Sequence, residues 1–343
     1  MDKLNGIQIL RGLAASIVVY HHFMQIFYKF ESNNFLGDFF SNYGDFGVDI
    51  FFVISGLVMA ISLQNKKQTS ASFFKNRLVR IAPTYYFYTL IFLLMGIIFD
   101  SINSSHASIE SVLKSLLFIT HENPSPDLGF FPTLSVGWTL NFEMFFYLVL
   151  TLILFLPFSI LSKLAIAVFV LSFSPVLYKI TKVNIYEVVA GNYKLIEFSL
   201  GILLGIAFNL ENKLGITSKL TYFTKLTLLL LGFILLQVVS HPLVKELLLA
   251  SYVVLLFIFF GQTFNKKNSI IKFFIYLGEI SYSVYLSHLI IIFLIWSFLP
   301  ILDNYYLVIL GVLLTTLGTF FVSVITHKHI EVGLSTTLKE YFR

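Results

Sequence analysis

The sequence predicts an all-α polytopic membrane bundle of about ten transmembrane helices with both termini in the cytoplasm. Three observations predict it. First, only 12% of the 343 residues are charged while 57% are hydrophobic. A soluble domain carries about 25% charged residues, so this chain lacks the charge to coat an aqueous surface. Second, the apolar residues form long continuous runs rather than alternating ones, which favours membrane helices over a transmembrane β-barrel. Third, lysine and arginine concentrate in alternate connections. With the N-terminus inside, sixteen fall on the cytoplasmic side and six outside, Arg11 lying within the first span. That asymmetry is the positive-inside pattern, and it favours an even number of spans.

A helix crossing the ~30 Å hydrocarbon layer needs ~20 residues. Apolar runs place spans at about 7–28, 44–63, 81–99, 137–157, 163–178, 193–209, 225–240, 247–264, 273–298 and 306–326. The first is not read as a signal peptide, because Arg11, His21 and His22 interrupt it and no clean cleavage site follows. The longest connection, about 100–136, is punctuated by Pro124, Pro126, Gly129 and Pro132, with a short surface helix expected in 107–120. These spans leave no room for a large aqueous domain, so residues 1–343 are expected to form one transmembrane domain with no appended soluble domain. The composition argues against a soluble enzyme or a nucleic-acid partner. The absence of cysteine removes disulfides, thiolate nucleophiles and cysteine-ligated metals.

Ionisable groups at membrane depth are costly and mark functional sites. Arg11 and His22 are eleven residues apart, which at 100° per residue places them within ~20° of one helix face and ~16 Å apart along the axis. A cation at one end and a titratable imidazole at the other match the reach of a phosphopantetheine arm. A snorkelling arginine and a packed histidine are the structural alternative. In KNRLVRIAP, Arg77 and Arg80 share a face if the segment is helical, and guanidinium groups suit bidentate phosphate binding. Anchoring to anionic lipid accounts for them equally.

GVDIFFVISG carries Asp49 between Gly47 and Gly56; the aspartate is a candidate to orient a histidine or pair with an arginine, and the glycines suit close helix approach. SVGWTLNFEMFFYL carries Trp138, an interfacial anchor or substrate contact, and Glu143, which needs an arginine, a histidine or a sugar hydroxyl as partner. LGEISYSVYLSH carries Glu279, Tyr282, Tyr285 and His288, the last two on one face. EFSLGILLG carries Glu197, a candidate ion-pair member. His327 and His329 lack a fixed third ligand, so no metal site is expected.

Taken in order, RGLAASIVVYHH, GVDIFFVISG, RLVRIAPTYY, WTLNFEMFFYL, EFSLGILLG and LGEISYSVYLSH resemble the acyltransferase-3 family of integral membrane O-acyltransferases over residues ~5–330. The resemblance implies a ten-helix domain of the bacterial cytoplasmic (inner) membrane. It implies transfer of an acyl group, most often acetyl, from acyl-CoA to a sugar hydroxyl of an extracytoplasmic glycan such as lipopolysaccharide O-antigen, capsule or exopolysaccharide. It gives the catalytic histidine as His22, the first-helix basic residue as Arg11, the paired arginines as Arg77 and Arg80, and the fourth-span glutamate as Glu143.

The resulting assignment is His22, Glu143 and Asp49 for catalysis, Arg11, Arg77 and Arg80 for acyl-CoA (acetyl-CoA as the expected donor), and Trp138, Tyr285 and His288 for the acceptor. The acceptor is a glycan or lipid-linked glycan, with membrane lipid around the protein. Some family members carry an extracytoplasmic esterase-like domain that completes transfer. Without one, transfer finishes in the membrane domain or passes to a separate extracytoplasmic acyltransferase partner. IEVGLS supplies Glu331 without the proline often found after it in the family, so that segment receives no role. A transporter or flippase for an acyl or glycan substrate is the competing class, since intramembrane charges suit solute movement too.

Overall fold

The computed structural model describes residues 4–32, 34–99, 106–125, 128–181, 187–215, 222–261, 267–302 and 304–341. Pro126 and the basic residues Lys3, Lys182, Lys219, Lys266 and Arg343, which entered the sequence reading, lie outside them. The described residues are helical throughout, with no strand. The order is α1 Asn5–Tyr28, α2 Phe35–Tyr43, α3 Phe46–Asn65, α4 Ser70–Ile98, α5 Ile109–Leu116, α6 Trp138–Leu154, α7 Ile160–Thr181 and α8 Glu187–Ala190. It continues with α9 Leu195–Leu214, α10 Tyr222–Val238, α11 Pro242–Phe260, α12 Ser269–Glu279, α13 Ser281–Phe298, α14 Tyr305–Thr326, a π-helical stretch His327–Leu334 and α15 Ser335–Tyr341.

Among the described residues, eight helices are long and apolar enough to cross a membrane. The other two expected spans correspond to α1, which is 24 residues long but diluted by Arg11, His21 and His22, and to α10, apolar over the shorter stretch Leu226–Val238. The protein is therefore a polytopic helical membrane protein.

Local chemistry sets the ends that hydropathy misses. α4 starts at Ser70, eleven residues before the apolar run, because the Thr69 hydroxyl caps it by accepting the Ser72 N–H at 3.2 Å. Lys75, Arg77 and Arg80 are thus helical, and Pro83 lies inside the helix rather than at its start. The expected span 273–298 is broken at the buried Ile280, which separates α12 from α13 and leaves Glu279 exposed at the junction. The short helix expected in the long connection is α5, opened by a reciprocal Ser108–Ser111 capping box.

The chain forms two compact units. One comprises residues 1–11, 48–73 and 145–275; the other comprises 12–47, 74–144 and 276–343. In the first, α3 and α9 cross backbone to backbone. A Cβ on Gly56 would stand 2.2 Å from the Phe198 carbonyl oxygen, and one on Gly201 only 2.1 Å from that of Val53. No larger side chain fits, which is how small residues bring membrane helices together. In the second unit, α13 is almost wholly buried and carries an unusual polar load: Ser281, Ser283, Ser287 and His288 are each 0% exposed. Hydrogen bonds to neighbouring helices compensate in part, leaving Ser281 Oγ without a partner. The Ser287 and Ser323 hydroxyls lie 3.0 Å apart, and Tyr282 donates to the Ile81 carbonyl at 2.9 Å. Phe23 and Met24 of α1 pack with Ile292 and Leu302 to close the apolar end of this unit.

Candidate active site

The second unit gathers most of the residues singled out in the sequence. His22 on α1 and His288 on α13, 266 positions apart, stack face to face with centroids 5.1 Å apart and planes 12° from parallel. His21 does not share this contact face: its Nδ1 lies 2.9 Å from the Phe40 carbonyl oxygen, and its ring packs on Phe30 at 4.9 Å. His288 is completely buried. Its Nδ1 meets the Val284 carbonyl oxygen at 3.3 Å, while its Nε2 has no hydrogen-bond partner, and neither has the buried Nδ1 of His22. Two stacked imidazoles, each with an orphaned ring nitrogen, are expensive in a low-dielectric interior. Each open nitrogen can bond a hydroxyl or, when protonated, a carbonyl.

α13 carries the polar path onward. Tyr285 packs its ring 5.7 Å from His288, accepts from the Thr139 hydroxyl at 3.1 Å and donates to the Val136 carbonyl at 3.0 Å. Tyr282, one turn earlier, lies within electrostatic reach of Glu143, Glu331 and Arg80, and Tyr285 also feels Glu143. Tyr282 and His288 are six residues apart, roughly 9 Å along the axis. Glu143 is half-buried in α6, and Trp138 opens that helix with its ring edge-on to Phe142 at 5.6 Å and to Phe131 at 6.5 Å.

At the far end of this path α4 presents the half-buried Arg77 and the exposed Arg80, three apart on one helical face as the sequence expected. Lys339 of α15 lies within electrostatic reach of both. Three cations within electrostatic reach of one another make this end of the unit positive, which attracts anions.

Arg11 and Asp49 fall in the first unit. Arg11 sits eleven residues before His22 on α1 and donates to Gln8 at 3.2 Å. Asp49, expected to meet a histidine or an arginine, is instead bonded by the ammonium of Lys194.

A cavity of about 880 Å³ opens beside the end of α1, between α1, α2 and α14. Phe23, Phe27 and Val308 give it apolar walls, and Lys29, Asn34 and Asn304 a polar rim. Its deepest α1 residue, Tyr20, is held by a 2.7 Å hydrogen bond to Thr316 and stands about 3 Å along the axis from the level of His22.

The acyltransferase domain model matches residues 4–328, nearly the whole chain. The chain belongs to the acyltransferase-3 family. It is also similar to the exopolysaccharide production protein ExoZ of Rhizobium meliloti (strain 1021), at 39% identity over 114 residues. That alignment covers 33% of this chain and about a third, 35%, of the relative's length. No solved structure matches significantly.

Sequence reasoning missed three partners in this acyltransferase-3 chain. Glu331, given no role because no proline follows it, is 8% exposed, accepts from Ser283 at 2.8 Å and lies 3.0 Å from His327. Lys339 looked like an ordinary cytoplasmic charge. Lys194, assigned to an outer connection, turned out to be the counter-ion of Asp49. Its spacing of three from Glu197 was the available signal.

Proposed function

We propose that this acyltransferase-3 protein is a membrane O-acyltransferase that moves an acetyl group from acetyl-CoA to a sugar hydroxyl of an extracytoplasmic glycan. The observation that carries the reading is the His22–His288 stack, with a buried, unpartnered nitrogen on each ring. The sequence pattern of basic connections supports a bacterial cytoplasmic membrane location with both termini inside. Likeness to an exopolysaccharide production protein supports a polysaccharide acceptor, lipid-linked or free.

Arg77 and Arg80, with Lys339 beside them, take the phosphates of coenzyme A, and Arg11 on the first helix is a further cation for the donor. The thioester then extends toward His22. The acceptor enters from the cavity beside α1 and meets Trp138, Tyr285 and His288. His22 accepts the proton of the sugar hydroxyl; the oxygen forms its bond to the acetyl carbon, the carbon–sulfur bond breaks, and the coenzyme A thiolate recovers the proton from the imidazolium. Alternatively His22 attacks the thioester itself and carries the acetyl group to the hydroxyl. Glu143, next to Tyr282 and Tyr285, holds the tyrosine face against the acceptor. Asp49, set beside Lys194, supports α3 rather than the imidazole.

The test is transfer of labelled acetyl from acetyl-CoA to isolated surface glycan by the purified protein in nanodiscs. Covalent label on the glycan, lost in His22→Ala, supports the reading. Vectorial movement of unmodified glycan without acetylation returns the protein to the transporter class. Label trapped on the protein in a rapid quench, discharged by hydroxylamine and absent from His22→Ala, selects the acyl-histidine route.

A further inference from the structure

α1 presents two different faces near the end that the basic-residue pattern places outside. Tyr20, Phe23 and Phe27, at spacings of three and four, line one wall of the cavity of about 880 Å³ that α2 and α14 complete. His22, Gln25 and Lys29, also at spacings of three and four, run up the other face. At 100° per residue His22 lies about 160° round the helix from Tyr20. Gln25, between His22 and Lys29, is exposed. Lys29 also stands on the cavity rim, so it marks the ridge where the two faces meet.

The cavity therefore flanks the imidazole site, and its chemistry is that of a chain rather than a sugar. Phe23, Phe27 and Val308 have no group that bonds a hydroxyl, and such walls favour a hydrocarbon. The mouth is mixed. Leu36 and Tyr305 line it at 63% and 74% exposure, as residues facing a lipid leaflet and its interface do. Lys29 and Glu31 line it too, and among the described residues they make no ion pair with each other. A mouth that meets both lipid and water suits a ligand with an apolar chain and a charged head. The backbone fixes the cation there: Lys29 and Phe30 hold left-handed φ angles of 50° and 65°, disfavoured for side chains of this kind. His21 braces that turn, its ring 4.9 Å from that of Phe30 and its Nδ1 2.9 Å from the Phe40 carbonyl oxygen.

We propose that the cavity holds the single hydrocarbon chain of a lipid-borne glycan acceptor, with Lys29 on the phosphate that joins chain to glycan. The chain runs from the rim at Tyr28 down to Tyr20, about 12 Å. The glycan leaves the phosphate over the end of α1 and descends the other face, where His22 lies seven residues, about 10 Å, below Lys29. The sugars nearest the phosphate are then the ones acylated. That last step rests on the acyl-transfer reading; the lipid site does not.

Binding is measured apart from transfer. A photoactivatable isoprenyl phosphate is cross-linked to the purified full-length protein in nanodiscs without acetyl-CoA, and the adducts are mapped by mass spectrometry. Label within residues 20–28 and 305–312, displaced by unlabelled isoprenyl phosphate but not by phosphatidylglycerol, supports the site. Equal displacement by phosphatidylglycerol, or label spread over all lipid-facing helices, assigns the cavity to bilayer lipid and overturns it. Lys29→Ala weakens labelling about tenfold, the loss of one charge-assisted contact. Glu31→Gln removes a negative charge and leaves labelling as strong or stronger; equal weakening in both variants overturns the phosphate assignment. Phe27→Trp and, from the opposite wall, Val308→Phe fill the cavity and abolish labelling, and full labelling in a folded variant of either kind overturns the placement of the chain. With acetyl-CoA added, the lipid-linked glycan shows a KM at least about tenfold below that of the same glycan cut from its phosphate. Equal KM values overturn the proposal and leave acyl transfer standing. Acetylation of neither glycan, with labelling intact, removes the acyl-transfer reading and keeps the lipid site.

Discussion

The molecule holds two buried polar clusters of opposite chemistry, one of imidazoles and one of carboxyl groups with an ammonium, and each leaves buried atoms without a partner. In the second unit, His22 and His288 stack with one ring nitrogen each left open, and tyrosines and arginines continue the polar path along α13 and α4. In the first unit, Asp49 is bonded to Lys194 beside the α3–α9 glycine seam, while Asp49 Oδ2 and Glu197 Oε2 find no donor. The lesson concerns cost. Burial without partners costs free energy in both clusters, so an open atom alone does not separate a substrate site from a structural cluster. Charge in a membrane is therefore a weak guide to catalysis until its partners are known.

The sharpest way to break the comparison is His22→Ala. Loss of an acid–base group lowers turnover by about 10²–10⁴-fold, and melting of the purified variant is expected to stay near that of the wild type. Full turnover would reduce the imidazole pair to packing. Lys194→Ala is the counterpart in the first unit. It leaves Asp49 as an uncompensated buried charge, at about 3–5 kcal/mol of stability, and adding Asp49→Asn is expected to restore most of the loss in thermal melts. If the single and double variants melt alike, the ion pair is not what holds that cluster.

Gly201→Ala tests the seam. Its new methyl would meet the Val53 carbonyl oxygen, and overpacking costs about 1–3 kcal/mol. A Gly201→Ala melting curve superimposing on the wild type would mean the helices slide apart freely. An effect of similar size is expected at the donor end. Arg77→Ala or Arg80→Ala removes a charge-assisted contact of about 1.5–3 kcal/mol, raising the KM for acetyl-CoA at least roughly tenfold with little change in acceptor KM. Equal changes in both constants would remove the phosphate assignment.

Most helices were legible because a run of apolar residues must cross a layer of fixed thickness. The exceptions have local causes that hydropathy does not register. A threonine cap extended α4 by a polar segment, and a single buried residue, Ile280, divided a continuous apolar run. Of the residues singled out for the candidate site, His22, Tyr285, His288, Glu143, Arg77 and Arg80 all fall in one unit. The pairings were not legible. His22 meets a residue 266 positions away, and Asp49 one 145 positions away, distances at which helix periodicity carries no information. Glu331 was passed over because attention fell on an absent proline instead of on the carboxylate.

The π-helical stretch His327–Leu334 widens the turn that carries Glu331 toward Ser283 and delivers Ser335 to the Val79 carbonyl at 2.9 Å. Such a stretch is a tolerated insertion in an α-helix. The wider turn absorbs an extra residue, so excising one there would let the chain rewind into regular α-helix and reset the Glu331–Ser283 and Ser335–Val79 contacts. Lys339 lies downstream of that turn, so its approach to Arg77 and Arg80 is inherited from the winding of the backbone before it.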